Sequence, residues 1–253
     1  SAQNGMNLYR GCRHGCIYCD SRSACYRMEH PFEDIEVKQN ALILLEDALR
    51  RKRRPCMIAT GSMSDPYTPP EEELRYTRRA LELILQYGFG MTLLTKSSLV
   101  LQDLDLLQRI NSQTKCVIQM TLTTWEESLC RILEPNVSTT TERFAAENIN
   151  RLLDCCEQAG VRGIVQFGMG VTLRQGNREY FYRQLDRHFP GLKERYIRTY
   201  GNAYVLESPN SRDLLELLHR RCRDAGILYD NPSVFRYLQE MEIKQPQQMS
   251  LFE

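Results

Sequence analysis

The stretch YRGCRHGCIYCDSR, Tyr9 to Arg22, sets Cys12, Cys16 and Cys19 within eight residues and flanks them with glycines and arginines. The spacing Cys-x3-Cys-x2-Cys puts three soft ligands on one tight loop. Gly11 and Gly15 let that loop bend closely around something bulky. A [4Fe–4S] cube normally takes four thiolates. Three would hold it and leave one iron open to a small molecule, much as catalytic zinc sites keep an open position. The rival reading is a structural zinc with Cys25 as fourth ligand. Zinc sites more often pair two short Cys-x-x-Cys knuckles, and no second knuckle exists here. Cys155 and Cys156 are adjacent and poorly placed to complete one.

Working outward, the chain repeats strand followed by helix. MNLYRG precedes the cysteine loop as a short extended piece, and helical periodicity runs from about Val37 to Arg51, with Leu42, Leu45 and Leu49 on one face. PCMIATG at 55–61 reads as a buried strand, and a helix of about Glu71 to Tyr87 ends at Gly88. GMTLLTK at 90–96, CVIQMTLTT at 116–124 and VRGIVQFGMGVT at 161–172 read as further strands. Helices are expected at about 101–110, 125–132, 139–159, 177–188 and 210–224, with a weaker strand at AYVLES. Apolar runs alternating with amphipathic helices imply parallel strands joined by crossover helices. The expected fold is α/β, a partial, open barrel of about six βα units, with the cysteine loop after the first strand. Loops after the strand ends at residues 61, 96, 122 and 170 are expected to build the site with it. The domain expectation is one unit over 1–240 and a tail over 241–253.

Composition narrows the classes. At 253 residues a full core needs no disulfide staples. The 33 basic residues nearly cancel the 32 acidic ones, so any preference for nucleic acid must come from local patches. No apolar run approaches the roughly 20 residues that span a bilayer. No signal-like region opens the chain, so export is not expected. The 10 cysteines, concentrated at one end, fit a reducing cytoplasm and one thiolate-ligated centre.

At Cys12, Cys16 and Cys19, with the aromatic Tyr18 before the third, the sequence resembles the radical S-adenosylmethionine superfamily. The longer string through Arg22, then GSMSDPYTPPE, TLRQGNREYFYRQLDRHFPGLKERYI and the closing AGILY, is similar to the spore photoproduct lyase-related branch. The resemblance implies a [4Fe–4S] cluster on the three cysteines, with S-adenosylmethionine chelating the open iron. It implies reductive cleavage to a 5′-deoxyadenosyl radical that abstracts hydrogen, and an electron donor such as flavodoxin or ferredoxin. The protein's part in such chemistry is position and exclusion of water.

Carried over residue by residue, the pattern has Ser64 and Asp65 facing the methionine moiety and Lys96 pairing with the ligand's carboxylate. Thr121 or Thr123 would hydrogen-bond the ribose or carboxylate, and Tyr18 would lie against the adenine. Plainer readings exist: Asp65-Pro66 is also turn chemistry, and strand-end threonine is ordinary β composition. One departure matters. True spore photoproduct lyases carry a hydrogen-returning cysteine just before the equivalent Ser-Asp pair, and here that position is Met63.

Two patches stand apart from the loop. Arg50, Arg51, Lys52, Arg53 and Arg54 close the first long helix, as a solvated terminus favoured by the dipole or as a DNA or RNA phosphate patch. Gln248, Met249, Ser250, Leu251 and Phe252 resemble the pentapeptide by which bacterial proteins bind the replication sliding clamp. The leading expectation is a radical enzyme acting on nucleic acid, in repair or modification. A protein or small-molecule substrate, or a non-catalytic iron–sulfur sensor on a DNA-bound partner, are the alternatives.

Overall fold

The structure, a computed structural model, describes residues 4–121, 123, 127–137, 153–154, 156–157, 160–209 and 211–244. The chain divides into two compact units. One comprises Ser1–Arg10, Glu36–Thr121 and Arg236–Glu253; the other comprises Gly11–Ile35 and Leu122–Phe235.

In the first unit the apolar runs become β3 (Met57–Thr60), β4 (Gly90–Thr95) and β5 (Cys116–Met120). They pair in parallel in the order β3-β4-β5, with Met57 opposite Gly90 and Met91 opposite Cys116. Each pair is linked by a helical crossover, as parallel strands require. β4 is central, and its Met91 and Leu93 are wholly buried. The helices α1 (Ala41–Arg51), α3 (Tyr76–Gln86) and α4 (Leu104–Gln113) lay Leu49, Leu81, Ile84, Leu106 and Ile110 into one core with them. Gly90 leaves the space that the Met57 sulfur fills: a Cβ there would stand 2.3 Å from it.

The helix expected over about 71–87 is broken in two. α2 (Glu71–Leu74) stops at Arg75, whose φ of 52° is left-handed, and α3 begins at Tyr76. The cause is Glu71. Its buried carboxylate accepts from the backbone N–H of Thr77 at 2.9 Å and of Arg78 at 3.3 Å, capping α3, and from the Tyr9 hydroxyl at 2.5 Å. The start of α4 is also tighter than expected, with a 3-10 stretch at Ser98–Asp103 before Leu104.

Two residues on either side of the cysteine segment form an antiparallel ladder in the first unit. β1 (Tyr9–Arg10) pairs with β2 (Glu36–Val37), Tyr9 opposite Val37 and Arg10 opposite Glu36.

In the second unit, 161–172 forms a strand only at β6 (Gly170–Thr172), which pairs antiparallel with β7 (Val205–Glu207). Gly163 makes an isolated parallel bridge to Leu228. The strand period breaks between these points, where Gly168 adopts a φ of 94°. Among the described residues, then, the parallel ladder of strands has three members rather than about six. Helices Asn177–His188 and Leu192–Tyr200 cover Ile17, Leu173 and Leu206 with Phe181 and Leu185. Helix Ser211–Asp224 buries Leu218 and Cys222 against Leu153 and Ile227. The helix expected at 139–159 lies almost wholly outside the described residues. No described helix is long and apolar enough to cross a membrane.

Candidate functional site

The cysteine loop belongs to the second unit, and backbone hydrogen bonds fix its course. Cys12 donates to the Phe32 carbonyl at 2.9 Å, Ile17 to the Leu133 carbonyl at 2.9 Å, and Cys19 to the Cys16 carbonyl at 3.2 Å. Asn136 ties the intervening bend, its backbone donating to the His14 carbonyl at 3.1 Å and its side chain to the Arg13 carbonyl at 2.8 Å.

The two glycines are there for space and for backbone conformation. Gly11 has φ +88°, and a Cβ on it would stand 2.7 Å from the Phe32 carbonyl oxygen and 3.1 Å from that of Asp34. Gly15 has φ +71°, and a Cβ would meet Pro135 at 2.9 Å. Only glycine takes this path at low energy.

All three cysteines are thiols, outside any disulfide; Cys16 is buried, and Cys12 and Cys19 are half-buried. Among the described residues no three His, Cys, Asp or Glu side chains converge on a point where one ion would bind. Cys25 is exposed, and its sulfur meets Arg174 Nη1 at 3.7 Å.

Of the remaining described cysteines, Cys56, Cys116, Cys156 and Cys222 pack in apolar clusters, while the Cys130 thiol donates to Glu134 Oε2 at 3.9 Å. Burial pushes the Cys116 thiol up to about 12 and raises those of Cys56 and Cys222. Cys130 is 2% exposed. A thiol held protonated is a poor metal ligand.

Tyr18 is held by a carboxylate the sequence did not advertise. Its hydroxyl donates to Glu134 Oε1 and lies 2.6 Å from the Thr123 hydroxyl, which itself donates to Glu134 Oε1 at 2.6 Å. Glu134 is 1% exposed and follows α5 (Glu127–Leu133) directly. Burial first, then the Glu134 charge, raises the Tyr18 phenol well above its ordinary range, so it stays a neutral donor. An acid at a helix C-terminus opposes the dipole. That anomaly, in the run Glu134-Pro135-Asn136, is the signal that could have marked it.

In the first unit, Asp65 organises the loop after β3. Its Oδ1 accepts from the Tyr67 N–H at 2.9 Å and the Thr95 hydroxyl at 2.7 Å, and its Oδ2 accepts from the Lys96 N–H at 2.7 Å. A carboxylate has about four acceptor positions, and these bonds draw on both oxygens. Ser64 is buried, and Lys96 and Thr121 are half-buried at the strand ends, Thr121 N–H donating to the Thr95 carbonyl at 3.3 Å. Met63 is half-buried before Ser64. Tyr67 is packed: it is 1% exposed and donates to Asp103 at 3.0 Å, with Arg78 on the other Asp103 oxygen at 3.0 Å.

The basic run of the first unit is exposed throughout. Arg50 pairs with Glu46 at 3.1 Å and Arg51 with Asp47 one turn back, while Lys52 donates to Asn4 at 2.7 Å. Gln248, Leu251 and Phe252 lie outside the described residues.

Comparison with known proteins gives a consistent picture. The model of the Radical SAM superfamily matches residues 6–172. An uncharacterized protein of Mycobacterium tuberculosis is 27% identical over 242 residues, covering 83% of this chain and 70% of the relative. An uncharacterized protein of Methanocaldococcus jannaschii is 33% identical over 132 residues, covering 51% of this chain and 48% of that one. Among solved structures, spore photoproduct lyase complexed with dinucleoside spore photoproduct superposes with a TM-score of 0.61 at 14% identity, over 90% of this chain and 76% of that chain. A variant of that lyase with bound AdoMet and dinucleoside spore photoproduct gives 0.53 at 16% identity, over the same shares. At such identities the likeness is one of fold.

Proposed function

Because this chain belongs to the radical SAM superfamily, which uses a [4Fe–4S] cluster and S-adenosylmethionine, we propose that it is an enzyme acting by hydrogen abstraction on nucleic acid. The observation that carries the reading is the loop Gly11–Cys19: three thiols on a path only glycine can follow, fixed by the Phe32, Leu133 and Cys16 carbonyls. When bound, the cluster and S-adenosylmethionine supply a reductively generated carbon radical.

The chain's own residues then have separable tasks. Cys12, Cys16 and Cys19 would hold the cluster, and Gly11 and Gly15 shape the loop that carries them. Glu134 and Thr123 fix the Tyr18 phenol, and the Tyr18 ring would lie against the adenine. Asp65 organises its loop and offers its charge to the ligand's ammonium group, with Ser64 beside it in sequence. Lys96 offers a cation to the ligand's carboxylate, and Thr121 a hydroxyl.

Nucleic acid as substrate is supported by two facts: the fold of a lyase whose solved form holds a dinucleoside photoproduct, and the exposed run 50–54. Met63 argues against that lyase's own reaction, because a thioether has no S–H to return. Modification or repair of another lesion is the reading we favour. A docking tail at 248–252 would bring the enzyme to the replication sliding clamp, and a flavodoxin or ferredoxin would reduce the cluster.

Anaerobic reconstitution, reduction and measurement of 5′-deoxyadenosine test the activity. Release is expected, and its loss in Cys16→Ala. No release from a protein with an intact cluster and bound S-adenosylmethionine would refute the enzyme reading. Deuterium transfer from labelled DNA or RNA into the released 5′-deoxyadenosine would identify the substrate class.

A further inference from the structure

Next to the cysteine segment, wholly within the second unit, lies a cavity of about 180 Å³. Arg22, His30, Phe32, Tyr180 and Arg183 are among the side chains lining it, and among the described residues no acidic side chain does so. The Arg22 side chain is only 7% exposed. Its guanidinium carbon lies 4.1 Å from the Tyr180 ring centre and 4.8 Å from that of Phe32. One nitrogen, Nη2, donates to Glu33 at 2.5 Å; Nε is buried and has no hydrogen-bond partner among the described residues. The exposed Arg183 places its guanidinium 5.8 Å from the same Tyr180 ring.

A guanidinium buried to this degree normally has its N–H groups satisfied, because a missing acceptor leaves the desolvation uncompensated. Glu33 neutralises one positive charge and Arg183 adds another. The cavity is therefore walled by a buried, only partly satisfied guanidinium, with a surplus of positive charge and no acidic side chain among its described lining residues. Its size decides the ligand: it is well below the roughly 300–1,000 Å³ of sites that enclose drug-sized molecules, so it takes one group rather than a whole nucleotide. Arginine's planar fork matches phosphate oxygens.

We propose that this cavity binds a phosphate-type oxyanion, supplied by the phosphodiester of a nucleic-acid strand; the strand as source rests on the substrate reading above. Arg22 lies three residues beyond Cys19, so a strand anchored there runs beside the loop that holds the cluster.

The test uses the full, reconstituted chain and the variant Arg183→Glu, whose exposed position leaves the fold intact; the cluster's visible absorption serves as the control. Two probes are read: inorganic phosphate by calorimetry, and a labelled short single-stranded DNA by anisotropy across a salt series. The variant should abolish the phosphate signal, weaken DNA binding about tenfold, and flatten the log–log salt slope by about 0.7 for each phosphate it no longer neutralises. If DNA binds the variant with unchanged affinity and slope, the site is overturned while the nucleic-acid reading stands. If the wild type binds phosphate but not DNA, and the variant loses phosphate, the site stands and the strand as its source is overturned. A wild type that binds neither probe overturns both.

Discussion

Replacing Gly11 by alanine puts a methyl group where the chain has no room. At φ +88° an L-residue is in the left-handed region, which costs about 1–2 kcal/mol. The new Cβ would stand 2.7 Å from the Phe32 carbonyl oxygen, the same oxygen that accepts from Cys12 N–H at 2.9 Å. A backbone oxygen cannot swing aside as a side-chain tip can. Relieving the clash moves Phe32, and the Cys12 bond, worth about 1 kcal/mol, weakens with it. Overpacking adds roughly 1–3 kcal/mol, for a total of about 4 kcal/mol. Gly191→Ala is the control: its φ is +81° and no atom lies within 4 Å of the added Cβ, so it bears only the conformational cost. At roughly 2–4 °C per kcal/mol for a chain of this length, Gly11→Ala should melt about 10 °C lower and the control about 5 °C lower or less. Thermal melts of the apoprotein read that difference, and iron per chain after anaerobic reconstitution reads its consequence for the thiols. Gly11→Ala should load little iron and Gly191→Ala the wild-type amount. A Gly11→Ala protein that melts with the control and fills normally would refute the argument that this glycine shapes the loop.

Three further outcomes follow from the geometry. Asp65→Asn points an amide N–H at the Lys96 N–H that Oδ2 now accepts, or at the two donors on Oδ1; a loss of about 1–3 kcal/mol in denaturant unfolding is expected even without S-adenosylmethionine, and no loss would mean that Asp65 serves the ligand alone. Tyr18→Phe removes one donor from the buried Glu134 and should destabilise by a similar roughly 1–3 kcal/mol, whereas Tyr18→Phe with Glu134→Leu should recover part of it; a double mutant that is simply additive would break the proposed coupling. Burial opposes ionisation of Glu33, but the hydrogen bond and charge of Arg22 outweigh it and hold the carboxyl below its ordinary value. A depressed folded value means the stabilisation is present above the unfolded value and lost as pH falls through the folded one. Wild type should therefore exceed Glu33→Gln in stability at neutral pH, with the gap closing below about pH 4; a gap constant with pH would exclude the ion pair.

Local pattern carries most of the elements. Residues 55–61, 90–96 and 116–124 are apolar enough to declare strands, and β3, β4 and β5 sit inside them, although β5 is half-buried or exposed rather than buried. Helix 177–188 is visible from its period and its glycine start, and Ser211–Asp224 from its leucines. What pattern cannot carry is tertiary capping. The break at Arg75 depends on Glu71 reaching the N–H groups of Thr77 and Arg78, an event with no local periodicity. Helices Leu192–Tyr200 and Asn231–Gln239 are only nine residues each and bury few side chains, so their shortness hides them. The run 161–172 looks like one strand because Val, Ile and Phe recur in it, yet Gly168 turns the backbone to a φ of 94° there. At the site, the cysteine spacing is legible because ligand geometry is written locally. Glu134 is not, because Tyr18 and Glu134 meet only through the fold.

The ladder of β1 and β2 has a consequence for assembly. Tyr9 faces Val37 and Arg10 faces Glu36, and the Arg10 guanidinium pairs with the Glu36 carboxylate at 3.4 Å. The segment Gly11–Ile35 thus departs and returns through neighbouring residues, like a ring shut by a clasp. Closing a free loop of about 25 residues costs roughly 3 kcal/mol in chain entropy. Here the first unit has met that cost before any iron arrives. On the function proposed above, the ring would be shaped for its cluster beforehand, so that loading it requires no new folding. Opening the clasp, rather than removing a thiol, would turn cluster insertion from a local event into a folding reaction.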